Sequence, residues 1–160
     1  MGILLYCLSS CDEALNSCRS QSERTLNIGF YTAHHSKSSI VEADTTLDSV
    51  YVFAIGHEDS VFYQNSSLTG ISLPLSQFSD SGVYILKHKN TNNELVTDTI
   101  KTIYQRIRIF ASYKCGYYTN FAIDSFSISL KYDSLIISQS NVTYEGKTNF
   151  KIYIHNPLID

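Results

Sequence analysis

Tryptophan is absent from this chain, methionine occurs once and proline twice among 160 residues, and only 17% of the residues carry a formal charge. So little proline leaves almost every backbone N–H free to join a sheet ladder, since proline within sheets is confined to edges and bulges. No basic block is present. Twelve Lys and Arg face fifteen Asp and Glu, for a net charge of −3. Phosphate neutralisation needs clustered cations, so the composition argues against nucleic acid as a partner. Arg106 and Arg108 come nearest to a cluster, and they alternate with Ile107 and Ile109 as the polar face of a strand would. No apolar stretch reaches the ~18 residues that a bilayer span needs. Missing too are a Gly-x-Ser-x-Gly elbow, a phosphate-cradling glycine loop, and any Cys-x-x-Cys or Cys-x-x-His spacing. The sequence therefore names no cofactor and no structural zinc, and an enzyme is left without a motif to support it.

What remains is a hydrophobic fraction of 43%, enough for one domain with a real core. Its apolar residues fall mostly at a spacing of two. Leu26, Ile28 and Phe30 alternate with Asn27 and Gly29, and Tyr51, Phe53 and Ile55 repeat the pattern. Gly56-His57-Glu58-Asp59 reads as a turn before Val61-Phe62-Tyr63. Pro74 should hold Ile71–Leu75 to a sheet edge. Asn90-Thr91-Asn92-Asn93 is a hairpin turn between Val83–Lys89 and Glu94–Lys101. Ile103–Ala111 is a further strand, or the continuation of one long bent strand. Phe126, Ile128, Leu130 and Tyr132 alternate cleanly, and Phe150, Ile152 and Ile154 do so after a turn at Tyr144–Lys147 in which Gly146 is free to take positive φ.

No segment of twelve or more residues has a helical period. The expectation is a single-domain antiparallel β-sandwich, immunoglobulin-like or related, over residues 25–157. Its core would draw on Phe30, Phe53, Ile85, Ile107, Ile109, Phe126, Ile128, Leu130, Ile152 and Ile154.

Candidate chemistry is sparse. His34 and His35 are adjacent, so on a strand they face opposite ways and rarely share a metal. The His57-Glu58-Asp59 group could serve a hard metal or acid–base chemistry, but its place between strands reads as an exposed turn. Dispersed Ser, His and Asp residues could assemble a hydrolase site that no spacing would reveal. Tyrosine is plentiful at twelve residues. Tyr113, Tyr117 and Tyr118 gather around Cys115 and form a candidate binding surface, because exposed tyrosine offers contact area at low entropy cost.

The N-terminus is the most directive segment. An apolar run, Ile3–Leu8, leads into Leu8-Ser9-Ser10-Cys11 and the acidic pair Asp12-Glu13. Leu, two small residues and Cys resemble a bacterial lipobox, in which the cysteine thiol receives a diacylglycerol and the chain is cut before it. The resemblance implies a signal remnant at residues 1–10, lipidation of Cys11 and a tether over residues 11–24, with attachment to a membrane by lipid. The run is shorter than the ~7–15 apolar residues of a full signal, and no Lys or Arg precedes it. With Cys7 removed and Cys11 acylated, Cys18 and Cys115 remain as a pair. In an exported protein they form either a disulfide or two separate buried thiols.

Further along, Asp48-Ser49-Val50, Asp59-Ser60-Val61, Asp98-Thr99-Ile100 and Asp133-Ser134-Leu135 each join Asp, a hydroxyl residue and an aliphatic one. These resemble the O-glycosylation sequon of exported Bacteroidota proteins, with Ser49, Ser60, Thr99 and Ser134 as acceptors. The order of Cys18-Arg19, Thr46-Leu47-Asp48-Ser49, Asp59-Ser60 before Phe62-Tyr63, Ile71–Leu75 and Lys114-Cys115-Gly116 is similar to a family of small Bacteroidota lipoproteins classed as a domain of unknown function. That resemblance implies a place in the cell envelope, at the outer membrane, and carries no catalytic residues. Asp12-Glu13 resembles the signal that sends such lipoproteins to the outer face. The function expected is a lipid-anchored binding or scaffolding module for an unknown envelope protein or glycan. The alternatives are an envelope hydrolase and a surface glycan-binding module.

Overall fold

A computed structural model describes residues 24–36 and 39–154, all of it strands, turns and loops. The proposed lipidation site Cys11, its flanking residues and Cys18 lie outside the described residues.

Among the described residues, eleven strands form two sheets. The first sheet holds β1 (Thr25–Ser36), β2 (Ser39–Asp44), β5 (Gly70–Pro74), β9 (Ser134–Ile137) and β11 (Phe150–Tyr153), in the order β2-β1-β11-β9 with β5 also paired to β1. The second holds β3 (Leu47–Ala54), β4 (Val61–Leu68), β6 (Ser81–Lys89), β7 (Leu95–Ser112), β8 (Gly116–Ile128) and β10 (Asn141–Val142), in the order β10-β8-β7-β6-β3-β4. Pairing is antiparallel throughout except between β1 and β11, where the first and last strands run parallel. The sandwich expected from the alternation is thus present. Pro74 ends β5, which pairs on one side only, against β1.

The two inner faces meet in a core of Leu26, Ile28 and Phe30 from β1, Ile71 and Leu73 from β5, and Phe150 and Ile152 from β11. Against them pack Val50 and Val52 of β3, Tyr84 and Leu86 of β6, Ile100 and Tyr104 of β7, and Phe121 and Ile128 of β8. Each such side chain, fully buried, stabilises by roughly 1.5–3 kcal/mol. Phe126 of one sheet stacks on Phe150 of the other with ring centroids 4.1 Å apart.

Part of the expected core lies on the wrong face. Phe53 and Ile85 are half-buried because their neighbours Val52 and Leu86 took the inward positions, while Ile109 is half-buried and Ile107 43% exposed on the face of β7 opposite that of Tyr104, beyond its pairing with β6. A period of two identifies two faces, and choosing the wrong one reverses every assignment on the strand. Phe30, Ile128, Leu130 and Ile152 are buried as expected, and Phe126 and Ile154 pack against them.

β7 is one long strand of 18 residues and runs straight through the two segments expected in this stretch. Its partner β8 carries the irregularity: Ile103 opposes Ser125 while Tyr104 opposes Ile123, so Asp124 is the extra residue of a bulge. The bulge exchanges the faces of β8. Phe126 and Ile128 point inward on one side of it, and Phe121, Thr119 and Tyr117 continue that inner side beyond it.

Two polar anchors complete the sandwich. Buried Asn149 accepts from the backbone N–H of Asn27 at 3.0 Å, and its amide donates to the carbonyls of Gln139 and Asn141 at 3.0 and 3.1 Å. It thereby ties β1 to the β9–β10 connection. The β6–β7 turn is closed by Asn90, whose side-chain oxygen accepts from the N–H groups of Asn92 and Glu94, while Asn93 takes φ +63°.

Candidate functional site

The outer end of the β7–β8 hairpin carries the most distinctive surface. Along β7 the inward face reads Asp98, Ile100, Thr102, Tyr104, and the same face continues as Arg106, Arg108 and Phe110. The first four are buried and the last three are exposed. Opposite Phe110 stands Tyr117, and Tyr113 lies in the connecting turn. Phe110 meets Tyr113 and Tyr117 edge to face, with centroids 5.4 and 5.2 Å apart. These rings are 47%, 101% and 59% exposed, a cluster of aromatic surface without cover. Arg108 places its guanidinium 4.6 Å from the centre of the Tyr117 ring.

Tyr118 behaves differently from its neighbour. It is half-buried, and its ring supports Arg24, whose guanidinium carbon lies 4.2 Å from the ring centre. Of the three tyrosines expected to form a binding surface, Tyr113 and Tyr117 project at the hairpin end, and Tyr118 is the platform for an arginine. Cys115, in the turn between β7 and β8, is half-buried and disulfide-bonded. The cysteine it meets falls outside the described residues.

Arg24 is 5% exposed. Its Nε donates to the Asn120 side-chain oxygen at 2.8 Å, while both terminal nitrogens are closed off from solvent and have no hydrogen-bond partner among the described residues. Burial lowers its pKa from the ordinary arginine value, and Tyr118 opposes that shift. Arg24 lines a cavity of about 310 Å³ together with Thr25, Pro74, Leu75, Gln77, Thr119 and Phe121. A second hollow of about 360 Å³ shares Gln77 and Thr119 and adds Phe78, Arg106, Arg108 and Tyr117. Arg106 is already engaged, with Nε on Asp80 at 2.7 Å and another nitrogen on the Gln77 carbonyl at 2.9 Å.

The histidines distribute in a way that spacing did not show. His57 is exposed in the turn after β3 and borders a hollow of about 410 Å³ whose rim, among the described residues, includes Ser76, Ser79, Ser81 and Tyr104 but no carboxylate. The adjacent Glu58 is committed to its own turn. It accepts from the Gly56 N–H at 3.0 Å, and backbone hydrogen bonds from Gly56 and from its own N–H lower its pKa. The side chains of His34 and His35 lie outside the described residues. Among the described residues, no three His, Cys, Asp or Glu side chains gather as a metal site.

Sequence reasoning missed a close His–Asp pair. His88 Nε2 lies 2.9 Å from Asp98 Oδ2, both residues 5% exposed, and Ser129 donates to the other Asp98 oxygen at 3.1 Å. The Asp98 hydrogen bond raises the His88 pKa, against the opposing effect of burial. These are a Ser, a His and an Asp in contact, yet in the wrong order for a nucleophile. The serine bonds the carboxylate and not the imidazole, and the remaining imidazole nitrogen lies 3.2 Å from the Lys89 carbonyl. The group holds the β6–β7 hairpin to the start of the β8–β9 connection. A signal for it existed: extending the hairpin outward from the Asn90–Asn93 turn pairs Leu86 with Asp98 and His88 with Val96, which sets His88 and Asp98 diagonally on one face.

The four proposed glycosylation acceptors occupy different settings. Ser60 and Ser134 are exposed at a turn and at the start of β9. Ser49 is half-buried in β3 with φ +54°. Thr99 is half-buried in the middle of β7, beside the engaged Asp98.

The chain belongs to a family of unknown function, DUF6452, whose model matches residues 29–154. No curated protein and no solved structure matches the chain.

Proposed function

We propose that this chain is a lipid-anchored module of the cell envelope that binds or scaffolds another envelope component and does no chemistry itself. Its contact surface is the aromatic end of the β7–β8 hairpin. The observation that carries this reading is the cluster of Phe110, Tyr113 and Tyr117, three exposed rings packed on one another at the end of a sheet. Large uncovered aromatic surface is the commonest currency of recognition, because it gains contact area with few rotamers to freeze. A glycan-binding use of the same rings is the second reading, favoured by the arginine stacked on Tyr117. The hydrolase alternative has less behind it, since the described residues lining the His57 hollow include no carboxylate and His88 is 5% exposed with its Nε2 on Asp98.

Anchoring rests on acylation of Cys11, and a bridge from Cys18 to Cys115 would pin the tether close to the aromatic end. Membership in the matched family bears on none of these points. The test uses the Cys11→Ser chain, which should leave the membrane fraction and become soluble. That soluble form should sediment with purified outer-membrane envelope. Phe110→Ala and Tyr113→Ala together should reduce the bound fraction at least about tenfold, with the melting temperature nearly unchanged. Unchanged sedimentation of the double variant would refute the contact surface, and a wild-type chain free of membrane with unmodified Cys11 would refute the anchor.

A further inference from the structure

We infer that the chain forms a two-fold dimer by antiparallel pairing of β9 with the β9 of a second copy, which joins the first sheets of the two copies into one. This goes beyond the contact surface proposed above, which lies on the second sheet.

A strand at a sheet edge offers unpaired backbone groups to any strand that can lie beside it, and edges are protected by charge, proline, bulges, shortness or cover. The other edges among the described strands carry such protection. β2 has Glu42 and Asp44. β4 meets β3 with repeated register shifts, and Asn65 within it takes φ +52°. β5 ends at Pro74, and the Tyr63 hydroxyl sits on the backbone of Ser72, accepting from its N–H at 2.7 Å and donating to its carbonyl at 3.3 Å. The stretch of β7 beyond β6 carries Arg106 and Arg108, and β10 is two residues long. β9 has none of these devices except brevity. Ser134-Leu135-Ile136-Ile137 and the following Ser138 contain no charge and no proline, and β9 keeps an unbroken register with β11. Among the described residues β9 pairs on one side only, and its Ile136 and Ile137 are 48% and 63% exposed.

Both the sequence of this edge and the phase of its backbone match a copy of itself. Read from either end, it runs Ser, aliphatic, Ile, aliphatic, Ser. Antiparallel pairing about Ile136 therefore sets Ser134 opposite Ser138, Leu135 opposite Ile137 and Ile136 opposite itself. The phase follows from the β11 side. Ile137 opposes Phe150, and the next residue, Ser138, donates its N–H to the Asn149 carbonyl at 2.9 Å. Backbone groups alternate along a strand, so Ser134, Ile136 and Ser138 turn theirs toward β11, and Leu135 and Ile137 turn theirs to the open side. Those two residues face each other across the two-fold axis and exchange two hydrogen bonds on each side of it. Ile136 falls at the non-hydrogen-bonded position between them, where facing side chains come closest. One step further out, Asp133 falls opposite Gln139, so no like charges meet. A partner of this kind needs no repulsion overcome and no side chain moved out of the core. The contact is short, well below the ~1,200 Å² of a standard interface, so the dimer is weak and depends on concentration. Confinement by the proposed lipid anchor would raise that concentration.

The full chain with Cys7→Ser and Cys11→Ser should be followed by sedimentation velocity from ~1 μM to ~1 mM, with a shift from monomer to dimer across that range. Ile136→Lys and Ile136→Glu should each weaken the dimer at least about tenfold, because equal charges then face each other across the axis. An equimolar mixture of the two variants should regain it, since Lys now meets Glu, and pairing centred elsewhere would give no such rescue. Ile137→Pro removes an outward donor and leaves the β11 ladder intact, so it should abolish the dimer with the melting temperature nearly unchanged. Should that variant fail to fold, the two exposed charge variants and their mixture still decide. A wild-type chain that stays monomeric up to ~1 mM would overturn the proposal, including the case in which hydrogen exchange finds the Leu135 and Ile137 amides protected in the monomer by another part of the same chain. A dimer indifferent to Ile136→Lys, or a mixture that stays monomeric, would overturn it as well. Envelope sedimentation that depends on Phe110 and Tyr113 reads the other sheet, so the two proposals fail separately.

Discussion

The two halves of β7 make an instructive pair. From Leu95 to Tyr104 the strand lies within the sandwich, and from Gln105 to Ser112 it runs on past the buried core. Its alternation does not change at the boundary, but its neighbours do: β6 pairs only with Leu95–Ile103, and β8 pairs from Ile100 to Ser112. The cover changes with them. Asp98, Ile100, Thr102 and Tyr104 are buried beneath the opposite sheet, and Arg106, Arg108 and Phe110 on the same face are exposed. In the covered half a charged residue is tolerated only when fully paired, as Asp98 is with His88 and Ser129. In the uncovered half arginines and aromatic rings stand in the open, where they are available to a ligand. One strand thus serves as core and as exposed surface, divided near the point where its pairing with β6 ends.

Substitutions at matched positions should separate the halves by size of effect. The largest belongs to the covered half. Asp98→Ala leaves His88 without its carboxylate, and breaking a buried pair of this kind should cost about 3–5 kcal/mol in denaturant unfolding. The pair should also give the wild type a pH signature. The folded His88 pKa is raised above its unfolded value by Asp98, so the pair's stabilisation is complete below the unfolded value, about 6.5. It is lost as pH rises through the higher folded value. Unfolding curves from pH 5 to pH 9 should show that decline, and His88→Gln should flatten it. A wild-type profile that rises across this window would contradict the assignment.

Next in size is the turn that closes the uncovered half. If Cys115 is bridged to Cys18, Cys115→Ser should lower stability by roughly 2–5 kcal/mol, chiefly by freeing the unfolded chain. Cys18→Ser should match it, and the double variant should add little. Additive losses from the two single variants would exclude that pairing. The smallest effect belongs to the exposed arginine. Arg106 and Asp80 form an ion pair with side chains 37% and 66% exposed, and Arg106→Ala should change stability by less than ~1 kcal/mol. A loss comparable to that of Asp98→Ala would mean that the second half of β7 is covered after all.

Several features were determined by the sequence alone. The period of two in Leu26–Phe30, Phe126–Leu130 and Phe150–Ile154 specifies strands, and the asparagine-rich turn specifies the β6–β7 hairpin, because both signals act over a few neighbouring residues. The cluster of tyrosines around Cys115 was visible for the same reason. The tertiary structure decided which face of each strand lies inward, since alternation is symmetric until a second layer covers one side. It also decided that Tyr117 is displayed while Tyr118 supports Arg24. The bulge at Asp124 exchanges the faces of β8, and Arg24 arrives from the start of a strand in the other sheet. His88 and Asp98, ten residues apart, meet only once the hairpin register is set, and Ser129 joins them only when β8 has returned alongside β7. Distances in space between residues far apart in the chain depend on register and on layer packing, and neither is encoded in any local pattern.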